Sequence, residues 1–552
     1  MMKKDPSWVT KRGSDSLTPL HVAARFNHTN VVKWLLDNGA DVNAQAYNQF
    51  TPLHVTKNPE IVKLILKRKP NLKLESVSGT PLQRAIDDFR HYNNISRQKP
   101  ELKQQANALR KTVDLYVEYL GDEIDLVSAI RLGKLDRVKK ILATDPSAAH
   151  GKKYDPNPLR EAANWGQFEI CKLLVEKYKV DVDDFDGGTG YPIIKASLKF
   201  PKIVKYLIEK GADLKTRITW RGGRTGVWII GDDATALHFA ARDGVPGTIK
   251  VLLDAGVDPF ATAHNMFNKE RKQTALEVAA YFGKTDNATS ILEHPKFREA
   301  DAKQRQPVMD SALNIGSYSS SLAFEAQDRS KLLDVLIKHG ADLNSADNRS
   351  LIQTATSSIH PNHDEKNEDI KRMVAVLRKH GAKIDVFSAI AIGDFETLKE
   401  ILAKEPKASN SYAKNGYPAL HMAIKMNYPK AVELLLGAKC DVEIKNKSRS
   451  TGWKGGSPLL CASFWGHEDI AKMLIDAGAN VNATAQRSVT PLHEAVRMGN
   501  FGIAKLLLDH GADKNAKDYE GKTPIEWVTS ESRRKKFAKI FSESRELSNK
   551  SR

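Results

Sequence analysis

The stretch TPLHVAARFNHTNVVKWLLDNGADVN at residues 18–43 has a near copy, TPLHEAVRMGNFGIAKLLLDHGADKN, at residues 490–515. Thr18 is suited to cap a short helix, with Pro19 in its first turn, where the missing N–H costs nothing. After a turn, one face of a second helix carries aliphatic residues at helical spacing, namely Val31, Val32, Leu35 and Leu36. Gly39 then supplies the left-handed residue that ends this helix. The stretch therefore predicts a helix–turn–helix unit.

The unit repeats along the chain. The distances from Thr18 to Thr51 and from Thr490 to Thr523 are both 33 residues. A histidine closes the opening tetrapeptide in five copies: His21, His54, His238, His421 and His493. A unit of this size cannot bury its apolar face alone, so neighbouring units must stack. The period predicts an all-α solenoid, and it favours a structural role for an evenly spaced histidine over a catalytic one.

At these motifs the chain resembles the ankyrin repeat family. TPLH at 18–21, 51–54 and 490–493, and GAD at 39–41 and 511–513, carry the resemblance, which extends over about fifteen repeats and nearly the whole chain. The resemblance implies an ankyrin solenoid with β-hairpin loops. It also implies that the tetrapeptide histidine bonds the backbone of neighbouring turns, and that the protein is a non-catalytic scaffold that binds proteins by its concave groove and its loops.

Irregular spacing suggests the domain organisation. We predict an N-terminal segment at 1–17, a first array at 18–294, an irregular segment at 295–330, and a second array with a C-terminal cap at 331–552. The irregular segment is either a hinge or a set of expanded loops. The second repeat is short, because Thr51 and Thr80 are only 29 residues apart.

Partner contacts are expected at the variable positions that follow the Ala-Ala pair of each short helix, because these positions face the groove in the family. Large aromatic and arginine side chains, which dominate interface energetics, are concentrated there. The candidates at these positions are Arg25, Phe26, Arg131, Trp165, Arg242, Tyr281, Phe282, Phe464, Trp465, Arg497 and Met498. About half of the aromatic residues are expected to pack within the stack instead.

Two glycine-rich insertions add loop candidates. Residues 215–233, KTRITWRGGRTGVWIIGDD, lengthen one loop by about a dozen residues and have the composition of a β-hairpin, with Trp220 and Trp228 in its arms. A shorter insertion at 447–457 contains Trp453. We predict that these loops contact a partner or fold back on a neighbouring repeat.

Composition limits the partners. There are 85 Lys and Arg against 67 Asp and Glu, which gives a net charge of +18 and favours acidic partners. A basic nucleic-acid-associated protein is the alternative function, although nucleic acid is the less favoured partner because the charge is not gathered in one stripe. Three dispersed cysteines favour a reducing compartment and predict a cytoplasmic protein, with nuclear location or specialised secretion left open. No apolar run is long enough to span a membrane, and we expect a monomer.

No motif predicts catalysis, a cofactor or a metal site. Residues 360–369, HPNHDEKNED, gather histidines and acids, but a solvated loop explains them better than an ion does. An enzyme site within residues 295–370 is a weaker hypothesis. The segment RRKKFAK at 533–539 has two interpretations, a nuclear or nucleic-acid-binding signal and the outer helix of a capping repeat.

Overall fold

A computed structural model describes most of the chain. The described residues are 6–13, 15–97, 99–151, 157–183, 199–215, 233–264, 272–317, 329–343, 351–352, 364–413, 416–447 and 455–548. The chain divides into two compact units, residues 1–221 with 232–258, and residues 222–231 with 259–552.

In the first compact unit short and longer helices alternate. Its α-helices are α1 (Pro19–Arg25), α2 (Thr29–Asp37), α3 (Pro52–Val55), α4 (Pro59–Leu66), α5 (Pro81–Ile95), α6 (Lys103–Leu120), α7 (Leu126–Arg131), α8 (Leu135–Thr144), α9 (Pro158–Trp165), α10 (Phe168–Glu176), α11 (Pro201–Glu209), α12 (Ala236–Asp243) and α13 (Pro246–Asp254). Its 3-10 helices are Pro6–Val9, Tyr47–Gln49, Pro100–Leu102, Gly121–Glu123 and Pro146–His150.

The second compact unit continues the alternation. Its α-helices are α14 (Ala275–Tyr281), α15 (Thr285–Leu292), α16 (Pro295–Arg298), α17 (Ala302–Ser317), α18 (Arg329–Lys338), α19 (Asp364–Lys379), α20 (Val386–Ile392), α21 (Phe395–Lys404), α22 (Ala419–Lys425), α23 (Pro429–Gly437), α24 (Pro458–Trp465), α25 (Glu468–Asp476), α26 (Pro491–Met498), α27 (Phe501–Asp509) and α28 (Glu531–Ser548). Strands β1 (Thr262–His264) and β2 (Lys272–Thr274) pair antiparallel, and its 3-10 helices are Pro406–Asn410, Gln486–Ser488 and Pro524–Trp527.

The first repeat forms as the sequence predicts. Helix α1 buries Leu20 and the Ala-Ala pair, and α2 buries Val32, Leu35 and Leu36 on the predicted face. Gly39 follows with a φ of 84°. Short helices then pack on the short helices of adjacent repeats, as α1 does on α3, α7 on α9, and α24 on α26. The predicted all-α architecture of stacked helix–turn–helix units is therefore confirmed.

The loops between repeats are hairpin-like turns that carry little strand structure in the described chain. Backbone bonds close them, for example Ala46 N to Phe50 O at 2.8 Å and Ala485 N to Val489 O at 2.9 Å. Successive loops are also joined by backbone bonds, such as Tyr519 N to Arg487 O at 3.0 Å. Where these bonds occur in the described chain, the main chain fixes one loop to the next and makes it a rigid support for exposed side chains.

Residues 295–317, placed by the sequence in an irregular segment, form α16 and α17. Helix α17 packs against α14 and α18, and its Ser311 hydroxyl donates to the Glu277 carboxylate at 2.6 Å. This part of the segment therefore belongs to the packed helices of the second compact unit. Whether residues 295–330 act as a hinge stays a prediction.

The tetrapeptide histidines hold neighbouring turns together. In His21, Nδ1 accepts from the Thr18 N–H at 3.2 Å and lies 2.8 Å from Thr18 Oγ1, while Nε2 lies 2.9 Å from the Phe50 carbonyl. His493 makes the same bonds to Thr490 and to the Lys522 carbonyl. Nε2 must donate to a carbonyl, so the neutral Nε2–H tautomer satisfies both sides of the ring. The predicted structural role is confirmed.

Replacing His21 or His493 by alanine is expected to lower the free energy of unfolding by about 1–3 kcal/mol, because buried backbone groups lose their partners. Urea titration followed by circular dichroism measures the change. His28→Ala, at an exposed turn position of the first repeat, is the control and should stay within about 0.5 kcal/mol of the parent. Equal stability of His21→Ala and the parent would contradict the structural role.

Candidate binding groove

Eleven of the predicted partner-binding residues lie at the carboxyl ends of the short helices, where the chain turns toward the longer helix. The structure leaves some of them exposed to solvent. Phe26 is 61% exposed and Met498 is 39% exposed, and each lies at the end of a short helix, α1 or α26. Arg25 is also exposed, and its guanidinium carbon lies 5.9 Å from the Phe26 ring centroid. These residues offer side chains to a partner.

Trp165 is half-buried between two arginines of its own compact unit. The guanidinium carbons of Arg90 and Arg131 lie 4.2 and 5.7 Å from its ring centroid. Arg131 Nε donates to the Glu161 carboxylate at 2.8 Å, and Arg90 donates to the Asn164 carbonyl at 2.7 Å. Burial lowers the pKa of Arg90. Both arginines therefore have partners within the protein. Part of the Trp165 ring packs against them and is not available to a binding partner.

Arg242 does not lie on an open groove surface. The residue is 8% exposed, and its Nε donates to the adjacent Asp243 carboxylate at 2.6 Å. A guanidinium needs such a partner once water is excluded. Arg242 is therefore too buried in this structure to offer its side chain to a partner, as the sequence had predicted it would.

The aromatic pairs of the second compact unit are half-buried. Tyr281 and Phe282 meet edge to face with ring centroids 5.2 Å apart, and Phe464 and Trp465 do the same at 5.2 Å. These side chains pack on each other and still expose part of their rings, which agrees with the expectation that some would serve the stack.

Arg497 has a structural task as well as an exposed side chain. Its guanidinium carbon lies 5.3 Å from the Phe464 ring centroid, and its Nε donates to the Glu494 carboxylate at 2.9 Å. Glu494 is buried, and that burial raises the pKa of its carboxyl while Arg497 opposes the rise. Removing Arg497 would leave a buried acid without its cation.

Three predicted loop residues, Trp220, Trp228 and Trp453, lie outside the described residues. The two histidines of the cluster at 360–369, His360 and His363, lie outside them too. Within the described chain, Glu368 pairs with Lys371 at 2.7 Å. The described residues contain no group of three or more histidines, cysteines or acids that could hold a metal ion.

Sequence reasoning missed a notch in the groove of the first compact unit. Its volume is about 540 Å³, and its lining includes Arg25, Tyr47, Phe50, Val55, Lys57 and Arg84. The signal was present in the short second repeat. Helix α3 has four residues where α1 has seven, and the chain becomes extended at Thr56. The shortened helix leaves the groove open between α1 and α5.

The free thiols are poor nucleophiles. Burial raises the pKa of Cys171 to about 12, and it raises that of Cys461 to about 12. Cys440 is half-buried and the pKa of its thiol is raised to about 11, again by burial first. All three are protonated at neutral pH, whereas the thiolate is the reactive form.

Comparison with protein-family models gives matches along much of the chain. A model described as "Ankyrin repeats (3 copies)" matches residues 2–76, 126–218, 386–485 and 440–518, and one described as "Ankyrin repeat" matches residues 232–264. Together these matches cover more than half of the sequence. No helix in the described part of the chain combines the length and apolar composition that a membrane crossing requires.

The chain is similar to curated proteins of different kinds, among them a viral ankyrin repeat protein, a hydrolase and a ubiquitin ligase. Ankyrin repeat protein 14 of Vaccinia virus (strain Western Reserve) is 25% identical over 199 residues, 33% of this chain and 77% of that protein. The human NAD-capped RNA hydrolase NUDT12 is 39% identical over 87 residues, 16% of this chain but 18% of the hydrolase. The Arabidopsis thaliana E3 ubiquitin-protein ligase KEG is 22% identical over 376 residues, 66% of this chain and 20% of the ligase. The chain thus spans less than a quarter of both enzymes.

Proposed function

The chain belongs to the ankyrin repeat family, and from that premise we propose that it is a non-catalytic scaffold that binds other proteins through the groove beside its short helices. Ankyrin repeats generally mediate protein–protein interaction. The observation that carries the proposal is the exposure of Phe26 and Met498 at equivalent groove positions, one in each compact unit. Large apolar side chains held on rigid helices are typical of binding sites.

The residues that could suggest chemistry have other tasks. The repeated histidines are committed to backbone bonds, and the thiols are protonated. A pre-formed groove loses little ordering entropy on binding, which suits a scaffold. The insertions that contain Trp220, Trp228 and Trp453 remain part of the proposal as further contacts, because loops on a rigid support often carry function.

A capture experiment tests the scaffold function. The intact protein, crosslinked in cells that express it naturally, is expected to retain one or more proteins that the Phe26→Ala/Met498→Ala variant loses. Each side chain is exposed, so the double substitution should leave the fold unchanged, which circular dichroism checks. Quantitative mass spectrometry of the captured proteins gives the ratio between parent and variant.

Tyr119→Ala is the matched control, because Tyr119 is an exposed aromatic residue on the longer helix α6. It should capture the same proteins as the parent. Equal capture by the groove variant would reject the proposed groove. Capture that disappears after nuclease treatment would instead favour the nucleic-acid-associated alternative, which would also show a steep dependence on salt.

A further inference from the structure

Large exposed hydrophobic side chains are concentrated in the first repeats, and one of them, Tyr47, lines the notch. Among the described residues the large exposed ones are Trp8, Val22, Phe26, Tyr47, Val77, Tyr119, Met498 and Tyr519. Five of these eight lie within residues 8–77, where Tyr47 is 71% exposed. Val22 lies one turn before Phe26 on α1, so the two face the same side. The start of the first compact unit therefore carries most of the large exposed hydrophobic side chains of the described chain.

The notch itself is cationic. Arg25, Lys57 and Arg84 contribute three positive charges, and Asp15 is the one carboxylate among its lining residues. Phe50 and Val55, which lie just before and at the end of the short helix α3, add apolar lining between these charges. This combination is complementary to a carboxylate-bearing segment that also has an apolar side chain.

Two of the cations are already held in place. The Arg84 guanidinium carbon lies 4.9 Å from the Phe50 ring centroid, and its Nη1 donates to Ser78 Oγ at 3.1 Å. Lys57 Nζ lies 4.6 Å from the Tyr92 ring centroid and 3.5 Å from Asp88. The Arg84 Nε is buried and has no hydrogen-bond partner within the described chain. Side chains ordered before binding lose less entropy when a ligand arrives.

We propose, as an extension of the scaffold function, that the notch binds an acidic peptide segment of a partner protein. Carboxylates of the segment face Arg25, Lys57 and Arg84, and an apolar side chain packs against Phe50 and Val55. A phosphate backbone fits less well, because Asp15 and the ion-paired Lys57 interrupt the row of free cations that such a backbone requires.

A library of random peptides displayed on phage, selected on the full-length protein, tests the proposal. Enriched peptides are expected to be rich in Asp and Glu around at least one apolar residue. A synthetic enriched peptide should bind the Arg25→Ala/Lys57→Ala variant roughly tenfold more weakly or worse, as measured by fluorescence anisotropy, since two charge contacts are lost. Lys57→Arg, which keeps the charge, should bind within about threefold of the parent.

The matched control is Lys33→Ala/Lys67→Ala. It removes the same charge from the same two repeats at exposed positions in and beside the longer helices α2 and α4. Its affinity for the peptide should equal that of the parent. The proposal is overturned if enriched peptides show no acidic excess, or if both double variants bind equally. A different result with RNA would also overturn it. That result is loss of binding to a single-stranded RNA oligonucleotide in the Arg25→Ala/Lys57→Ala variant, while no peptide loses binding in that variant. Protein capture that still depends on Phe26 and Met498 would leave the scaffold function standing.

Discussion

Replacing Phe537 by alanine is expected to lower the free energy of unfolding of the carboxy-terminal repeats by about 3–5 kcal/mol, the usual cost of deleting a buried phenyl ring. Phe537 is fully buried in α28, and its ring stacks on Phe501 with centroids 4.4 Å apart. Urea unfolding gives the loss of stability. Hydrogen exchange, followed by mass spectrometry, should show faster exchange in α27, against which α28 packs.

The effect is expected to reach α27 because α28 packs against it. In a repeat stack each unit is stabilised by the elements that cover it. In RRKKFAK, Phe537 is the residue that packs inward, while Arg533, Lys535 and Lys536 are exposed. Arg534 adds a bond to the Val528 carbonyl at 2.8 Å. The packing supports the interpretation as a capping helix, and a nuclear signal stays a prediction.

Two substitutions separate packing from charge. Phe537→Leu keeps an apolar side chain in the same place and should cost less than alanine, about 1.5 kcal/mol or less. Lys535→Ala, on the exposed face of the same helix, should change stability by no more than about 0.5 kcal/mol. If Phe537→Ala exchanged as slowly as the parent in α27, α28 would not be the cap.

The sequence was informative where one repeat specifies its own structure. Helix starts, glycine ends and the buried face of α2 depend on residues within the repeat, so a single copy such as 18–43 predicts them. The histidine bond was predictable for a related reason. His21 reaches Phe50 because the next repeat begins at Thr51, and the period places that turn beside it.

Side-chain exposure in the groove depended on neighbours that no single repeat encodes. Arg25 and Arg242 occupy the same position after an Ala-Ala pair, yet the first is exposed and the second is buried against Asp243. Arg131 is likewise bound to Glu161, 30 residues away in the next short helix. The notch lies where the second repeat has a shorter first helix than the first repeat, and residues from three repeats line it.

We expect two histidines, His54 and His421, to make the fold sensitive to mild acid. His54 Nδ1 accepts from the Thr51 N–H at 3.0 Å, so protonating Nδ1 would place two donors face to face. Burial lowers the pKa of His54 to about 4, with Arg84 adding to the effect. Burial also lowers the pKa of His421 to about 4. In His421 the Nδ1 atom has no partner in the described chain, because Pro418 replaces the capping threonine.

Stability is expected to fall as pH drops from about 6.5 to about 4, by about 1.4 kcal/mol per pH unit for each of these histidines. The folded-state pKa lies below the unfolded value, so the unfolded chain takes up protons first and the stabilisation present above pH 6.5 is lost on acidification. Urea titrations across this range measure the slope. His54→Gln should remove the part of this pH dependence that comes from His54. The substitution should lower the free energy of unfolding at neutral pH by only about 1 kcal/mol. Glutamine fits the position because Gln83 occupies it in the third repeat and accepts from the Thr80 N–H at 3.3 Å. His28→Gln, at an exposed turn, is the control. An unchanged slope in His54→Gln would show that the acid sensitivity arises elsewhere in the chain.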